Sequence, residues 1–194
     1  MNFLSHLYLS GDSEGLLIGN YIADSVKGSD YKNYPEEIRK GILLHRKIDT
    51  YTDCHPVVEE SKQRLRPRYR KYAGVITDVY YDHFLASNWE EYSSETLWDY
   101  TQRIYAIIQK NHSILPEKSV HFTQYMLRYN ILEAYSRLQG IEQVLTGMSQ
   151  RTKFQSNMEH AAHELKEHYT LFEDEFKRFF PELRQFVKDE IAIS

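Results

Sequence analysis

Residues 35–53 read PEEIRKGILLHRKIDTYTD, and this stretch predicts a helix that carries polar side chains on one face. Pro35 fits the first turn of a helix, and the apolar residues that follow it recur at helical spacing. His45, Asp49 and Asp53 follow one another at intervals of four residues. Because residues four apart lie on the same face, at roughly 5 to 6 Å between Cβ atoms, one face carries a histidine and carboxylates.

The rest of the chain also has the pattern of helices. No alternating run of apolar and polar residues, bounded by turn residues, predicts a strand. We therefore predict an all-α protein, a compact single-domain helical bundle that covers residues 1–194. Pro181 is predicted to end the long C-terminal helix and to precede a short tail helix. The predicted helices are 14–27, 35–53, 56–65, 68–88, 94–111, 118–138, 141–149 and 156–179.

The composition argues against several classes of protein. The 194 residues include 41% hydrophobic and 27% charged residues, which suits one domain with a substantial core. No stretch approaches the roughly 18 apolar residues of a membrane-spanning helix, and the first residues lack the features of a signal peptide. Cys54 is the single cysteine, which favours the reducing cytoplasm, and a net charge of −4 argues against a general nucleic-acid binder. We expect a soluble cytoplasmic protein that binds neither membranes nor nucleic acid.

A second group of polar residues lies at 78–83. Asp78 and Asp82 stand four residues apart on a predicted helix, and His83 follows Asp82 directly. Neighbours on a helix differ by about 100° in direction, so Asp82 and His83 reach one ion only if it lies between their directions. Alternatively, one of the two orients a metal ligand and does not itself bind the ion.

Two further polar residues lie in apolar surroundings earlier in the chain. His6 stands within MNFLSHL at 1–7, and Asp24 ends the string GNYIAD at 19–24. Burying so many ionisable groups costs free energy unless they are paired or bind a metal. Ordinary ion pairs explain any single pair in this set but explain the whole set poorly. The sequence therefore predicts a functional site.

The types of candidate ligand indicate the class of metal. Imidazole with several carboxylates and no thiolate favours Mn²⁺, Fe²⁺ or Mg²⁺ over structural zinc, although such ligands also occur in catalytic zinc sites. A divalent ion of this kind lowers the pKa of a bound water and stabilises charge on a phosphoryl group. We therefore predict metal-assisted hydrolysis of a phosphoester.

Several strings in this order resemble the acyl carrier protein phosphodiesterases. They are MNFLSHL at 1–7, GNYIAD at 19–24, HRKID at 45–49, Thr52-Asp53, and DVYYDHFL at 78–85. The resemblance implies an all-helical fold related to the HD-type phosphohydrolases and a divalent metal, typically manganese. It also implies hydrolysis of the phosphodiester that links 4'-phosphopantetheine to the serine of an acidic acyl carrier protein, which leaves the apo carrier.

The resemblance further implies that the site residues are His6, Asp24, His45, Asp49, Asp78, Asp82 and His83, and our hypothesis assigns each of them a role. The expected metal ligands are His6, His45, Asp49, Asp82 and His83. Asp24 and Asp78 are the expected catalytic groups, one of them as the general base that activates water. A protonated histidine is expected to assist departure of the serine. Replacing His45 or Asp82 with alanine is expected to abolish turnover and to leave the helix content unchanged.

A basic run directly precedes the second polar group. Six cations and no acid occur within ten residues, namely Lys62, Arg64, Arg66, Arg68, Arg70 and Lys71. Such a patch would steer an acidic carrier protein toward the metal, but it is alternatively a solvated face balanced by acids elsewhere in the fold. Two other functions stay open. They are an HD-like phosphohydrolase for a nucleotide or another small phosphoester, and a non-catalytic module that binds a carrier protein.

Overall fold

Helices make up all the regular secondary structure of residues 1–193, the part of the chain that the computed structural model describes. The α-helices are α1 (Phe3–Leu9), α2 (Glu14–Ile22), α3 (Glu36–Cys54), α4 (Pro56–Tyr69), α5 (Ala73–Ser87), α6 (Leu97–Lys110), α7 (Glu117–Arg128), α8 (Ile131–Ala134), α9 (Leu138–Ser149), α10 (Ala161–Glu167) and α11 (Tyr169–Ile193). The predicted all-α class is confirmed. The relation to HD-type folds stays a prediction, and residue 194 of the predicted single domain lies outside the described residues.

Helix α5 is the central helix of the core. Nearly every residue from Ile76 to Ala86 is buried, because α1, α4, α9 and α11 all pack against it. Tyr80 contacts Phe172 of α11 edge to face at a ring-centroid distance of 5.0 Å, and Tyr81 contacts Phe176 in the same way at 5.6 Å. A helix that is apolar around most of its circumference must be buried in this way. Within residues 1–193, none of the helices has the length and apolar character needed to cross a membrane.

Pro181 lies inside α11 and does not end it. Phe180, Leu183 and Val187, which flank this proline, are buried in the core. A proline inside a helix costs about 3 kcal/mol, whereas burial of each such apolar side chain contributes roughly 1.5–3 kcal/mol. Burial of the apolar face therefore outweighs the cost of the proline. The predicted end of the helix at residue 179 is wrong.

Other predicted helices also have different bounds, and three of the differences are informative. The predicted helix at 118–138 is divided between α7 and α8, because Asn130 has a left-handed backbone with φ of 45°. The helix predicted at 56–65 continues through Pro67 to Tyr69. The helix predicted at 14–27 ends at Ile22 and is followed by a short 3₁₀ turn. That turn carries a predicted site residue.

Helices α2 and α3 approach each other closely at two glycines. A Cβ atom built on Gly19 would lie 2.1 Å from the carbonyl oxygen of Ile38, and one on Gly41 would lie 2.3 Å from that of Leu16. Real side-chain atoms do not approach backbone this closely, so only glycine allows this packing. The close contact brings the polar residues of α2 beside those of α3.

We expect Gly41→Ala to lower the thermal unfolding midpoint. The added methyl group forces the two helices apart, and overpacking of this kind costs about 1–3 kcal/mol, or roughly 2–12 °C in a domain of this size. Gly74→Ala is the matched control, because a Cβ there meets only the Cε of Lys62 at an ordinary 3.7 Å. Circular dichroism melts of the two variants measure the difference. Equal midpoints would contradict the close packing of α2 on α3.

Candidate functional site

Two histidines and two aspartates meet where α1, α2 and α3 come together. His6 Nε2 lies 3.0 Å from Asp49 Oδ1, and His45 Nε2 lies 3.1 Å from Asp49 Oδ2. Asp24, in the turn after α2, has its Oδ1 3.4 Å from His45 Nε2. The two imidazole rings stack with centroids 3.9 Å apart. We call these four residues the histidine-aspartate cluster.

Asn20 orients both histidines of the cluster. Its amide nitrogen donates to the backbone carbonyl of His6 at 2.9 Å and to Ser10 Oγ at 3.0 Å, and its Oδ1 accepts from His45 Nδ1 at 3.0 Å. Because that oxygen is only an acceptor, the Nδ1 of His45 carries a proton and its Nε2 faces the carboxylates. The sequence did not assign Asn20 a role, because an uncharged amide gives no signal until α2 lies beside α3.

Burial and hydrogen bonds set the charges of the cluster. Burial lowers the pKa of His6 to about 4, and the neighbouring His45 acts in the same direction. Burial also opposes charge on His45, but hydrogen bonds to Asp24 and Asp49 outweigh it and raise the pKa of His45 to about 9. The hydrogen bond with His45 lowers the pKa of Asp24. Although burial favours its neutral form, hydrogen bonds from both histidines hold the pKa of Asp49 well below its usual range.

The cluster has the donor set of a divalent-metal centre. His6, His45 and Asp49 each offer one ligand atom, and these three atoms lie within 4.8 Å of one another. Two imidazole nitrogens with carboxylate oxygens, and no thiolate, suit Mn²⁺, Fe²⁺ or Mg²⁺. The cavity beside the cluster has a volume of about 300 Å³, and its lining includes Asp24, Asp53 and Asp78. The residues present therefore fit a bound divalent ion with space for a substrate group.

Asp78 lies beside the cluster and contacts an amine. Its Oδ1 lies 3.1 Å from the amino nitrogen of Met1, and the same nitrogen lies 3.7 Å from Asp49 Oδ1. Burial raises the pKa of Asp78, although the amine acts in the opposite direction. The structure thus brings Asp78 into the same cavity as His6, His45, Asp24 and Asp49.

Asp82 lies outside the cluster and caps the start of α1. Its carboxylate accepts hydrogen bonds from the backbone nitrogens of Leu4 at 2.7 Å and Ser5 at 3.1 Å, and from the Ser5 hydroxyl. The side chain is fully buried, and burial raises the pKa of Asp82 to about 7. Both carboxylate oxygens are used to hold α1, so the structure does not bring Asp82 to the predicted ligand set.

His83 also points away from the cluster. Its Nδ1 donates to the backbone carbonyl of Tyr135 at 2.7 Å, and its Nε2 accepts from the hydroxyl of Tyr169 at 3.0 Å. Burial lowers the pKa of His83, which favours a neutral ring between these partners. Both ring nitrogens are occupied by the protein, so the structure does not bring this predicted ligand to the cluster either. The difference in direction between helix neighbours separates it from Asp82.

Acids elsewhere in the fold balance most of the basic run. Four of its six cations form ion pairs, namely Lys62 with Asp53, Arg64 with Glu175, Arg66 with Glu59 and Arg68 with Glu164. Glu175 is on α11 and Glu164 on α10, about 100 residues later in the chain. Within residues 1–193, Arg70 and Lys71 form no ion pair, and Lys71 Nζ lies 4.5 Å from the ring centroid of Phe154.

Comparisons with known proteins show the family of this chain. A family model described as acyl carrier protein phosphodiesterase matches residues 1–183. The chain is 35% identical over 193 residues to the acyl carrier protein phosphodiesterase of Klebsiella pneumoniae (strain 342), covering 98% of this chain and 99% of that protein. It is 34% identical over 182 residues to the protein of the same name from Yersinia pestis, covering 93% and 94% of the two chains. No solved structure matches the chain significantly. The chain therefore belongs to the acyl carrier protein phosphodiesterase family.

Proposed function

We propose that this protein is a metal-dependent hydrolase that removes 4'-phosphopantetheine from the serine of a holo acyl carrier protein. The observation that carries the proposal is the convergence of His6, His45 and Asp49 on one small cavity, in a chain whose relatives are named for this substrate. The cluster supplies the chemistry, and the relatives' names supply the substrate class. The single cysteine, Cys54, supports a location in the reducing cytoplasm.

His6, His45 and Asp49 are the proposed metal ligands, with Asp24 as a further ligand or as a catalytic group. Manganese is the proposed ion, and Mg²⁺ or Fe²⁺ suit the same oxygen and imidazole donors. When bound there, such an ion would lower the pKa of water and neutralise negative charge on the phosphoryl oxygens. Coordination requires neutral imidazole, and the low pKa of His6 supplies one such ring at neutral pH.

Asp78 is the proposed general base. It lines the cavity and, among residues 1–193, forms no hydrogen bond with either histidine of the cluster. Burial raises the pKa of Asp78 toward the range in which a carboxylate takes up and releases a proton most efficiently. In the proposed step, Asp78 accepts a proton from the attacking water. As the phosphorus–oxygen bond breaks, the serine oxygen leaves from the side opposite the water and takes up a proton from solvent, and Asp78 then releases its own proton to solvent.

The mass of a purified holo acyl carrier protein, measured after incubation with this protein, tests the proposed function. We expect the phosphopantetheine mass to be lost in the presence of Mn²⁺ and retained in the presence of EDTA. An unchanged mass with folded, metal-loaded protein would contradict the proposal. Hydrolysis of nucleotides under the same conditions would then support the small-phosphoester alternative.

We expect Asn20→Ala to weaken metal binding. The substitution removes the acceptor that orients His45 and the donor that holds the backbone carbonyl of His6. Loss of such a partner of a metal ligand costs about 10–100-fold in metal affinity. Calorimetric titration with Mn²⁺ measures the change. Asn111→Ala is the control, because among the described residues the Asn111 side chain bonds only the carbonyl of Ile107 in its own helix. Equal affinities in the two variants would contradict the orienting role of Asn20.

Lys71 is a proposed contact for the acidic carrier protein. It precedes α5, whose Val75 and Asp78 line the cavity, and its charge is not compensated by an acid within residues 1–193. Lys71→Glu is expected to raise the KM for the carrier by several-fold at low salt, with little change in kcat. Arg66→Glu is the comparison, because Glu59 already compensates the charge of Arg66. A larger effect at Arg66 would contradict this assignment.

A further inference from the structure

A second cavity adjoins the cavity of the histidine-aspartate cluster. Its volume is about 550 Å³, and both cavities share Phe3, Tyr21 and Asp24 in their lining. The second cavity extends from these shared residues along α7 and the end of α9. The two cavities therefore border each other at these residues, so a ligand that extends from the cluster past Phe3 and Tyr21 enters the second cavity.

The walls of this second cavity are aromatic. Phe3 and Phe122 stack with ring centroids 4.4 Å apart, and Tyr21 donates or accepts a hydrogen bond of 2.7 Å with Thr123 that fixes its ring. Tyr125 and Gly147 lie opposite each other, because a Cβ on Gly147 would be 3.1 Å from the Tyr125 hydroxyl. We call the cavity formed by Phe3, Tyr21, Phe122, Tyr125 and Gly147 the aromatic groove.

Polar and cationic groups lie along the aromatic groove. Its lining includes Ser25, Ser119 and Gln150, whose side chains offer hydrogen bonds to amides. Lys118 and Arg151 also line it, and neither forms an ion pair within residues 1–193. The groove thus combines apolar walls with a few hydrogen-bonding groups and an uncompensated positive charge. This is the usual composition of a site for a small organic ligand.

We infer that the aromatic groove binds the pantetheine arm of the holo carrier protein, while the phosphate lies at the histidine-aspartate cluster. The inference rests on the proposed function. A phosphodiester has two substituents, and the serine belongs to a folded protein that is too wide for the groove. The arm is a single flexible chain with apolar methyl groups and amides. A volume of about 550 Å³ accommodates such a chain.

The position of Gly147 provides a way to fill the groove without changing the cluster. Gly147 lies on α9, and among residues 1–193 it contributes to neither the metal ligands nor their hydrogen-bond partners. Gly147→Leu places a branched side chain against Tyr125. Gly147→Ala is the matched control, because its single added carbon meets only the mobile end of the Tyr125 side chain.

The test compares two ligands that share a phosphate. Calorimetry on the Mn²⁺-loaded protein measures the dissociation constants of free 4'-phosphopantetheine and of inorganic phosphate. Gly147→Leu is expected to weaken binding of 4'-phosphopantetheine at least tenfold and to leave the affinity for phosphate unchanged. Phe122→Ala, which removes a wall of the groove, is expected to give the same selective loss. Gly147→Ala is expected to resemble the wild type.

Three results would overturn the inference. The first is unchanged 4'-phosphopantetheine binding in both Gly147→Leu and Phe122→Ala. The second is an equal loss of phosphate affinity, which would mean that the cluster itself is disturbed. The third is a raised KM for the carrier with unchanged binding of free 4'-phosphopantetheine, which would mean that the groove contacts the carrier protein. If the wild type fails to cleave the holo carrier protein, the proposed function is contradicted and not the inference about the groove. The binding of free 4'-phosphopantetheine tests the groove separately, because it does not depend on cleavage.

Discussion

Asp49→Asn is expected to abolish phosphodiester hydrolysis and to leave the fold intact. Within residues 1–193, Asp49 is the one carboxylate that contacts both histidines, at 3.0 Å from His6 and 3.1 Å from His45. Asparagine has the same shape but lacks the negative charge that a divalent ion requires. Loss of a residue that only hydrogen-bonds a metal ligand costs about 10–100-fold in metal affinity or activity. Loss of a direct ligand should therefore reduce kcat at least about a hundredfold. Carrier-protein hydrolysis measures the rate, and circular dichroism reports the fold.

Asp174→Asn is the control for this variant. Asp174 is exposed on α11 and lies outside both cavities. The substitution makes the same change of charge without affecting the cluster, and we expect wild-type turnover. Turnover by Asp49→Asn within a few-fold of the wild type would mean that the cluster is not the catalytic centre.

Asp82→Ala is expected to destabilise the fold strongly. The substitution leaves the backbone N–H groups of Leu4 and Ser5 without their carboxylate acceptor, and both residues are fully buried. Each unsatisfied buried donor costs about 1–3 kcal/mol. The combined loss corresponds to a fall in the thermal unfolding midpoint of roughly 4 °C or more. Thermal melts of metal-free protein, with Asp174→Ala as the control, measure this effect without any contribution from metal binding.

The result for Asp82 distinguishes a structural carboxylate from a metal ligand. From the sequence, alanine at this position was expected to abolish turnover without changing the helix content. From the structure, we expect the stability of the chain to fall first, because α1 loses the cap that positions His6. An unchanged melting midpoint together with lost turnover would return Asp82 to the ligand set.

Local spacing predicted one part of the site, the pair on α3, whereas His6 and Asp24 were predicted from their apolar surroundings and from the family resemblance. His45 and Asp49 lie on one face of α3 because four residues separate them, and the structure has this contact at 3.1 Å. The roles of Asp82 and Asn20 depend on contacts between distant segments. The carboxylate of Asp82 meets backbone groups 77 and 78 residues away, and no local pattern shows where those groups will lie.

The same distinction applies to the helices and to the basic run. Periodicity predicted most helices, but the continuation of α11 through Pro181 depends on burial of its apolar face against the core. Likewise, the sequence leaves open whether the basic run is a patch for the carrier protein or a face balanced by acids elsewhere in the fold. Its partners Glu164 and Glu175 approach only after α10 and α11 fold back onto α4.

A titration of metal-free protein with Mn²⁺, followed by electron paramagnetic resonance, tests most directly whether the histidine-aspartate cluster is the metal centre. We expect saturable binding in the wild type and in Asp174→Asn, and an affinity at least about a hundredfold weaker in Asp49→Asn. Wild-type manganese affinity in folded Asp49→Asn would mean that the ion binds elsewhere, and would contradict the assignment of His6, His45 and Asp49 as its ligands.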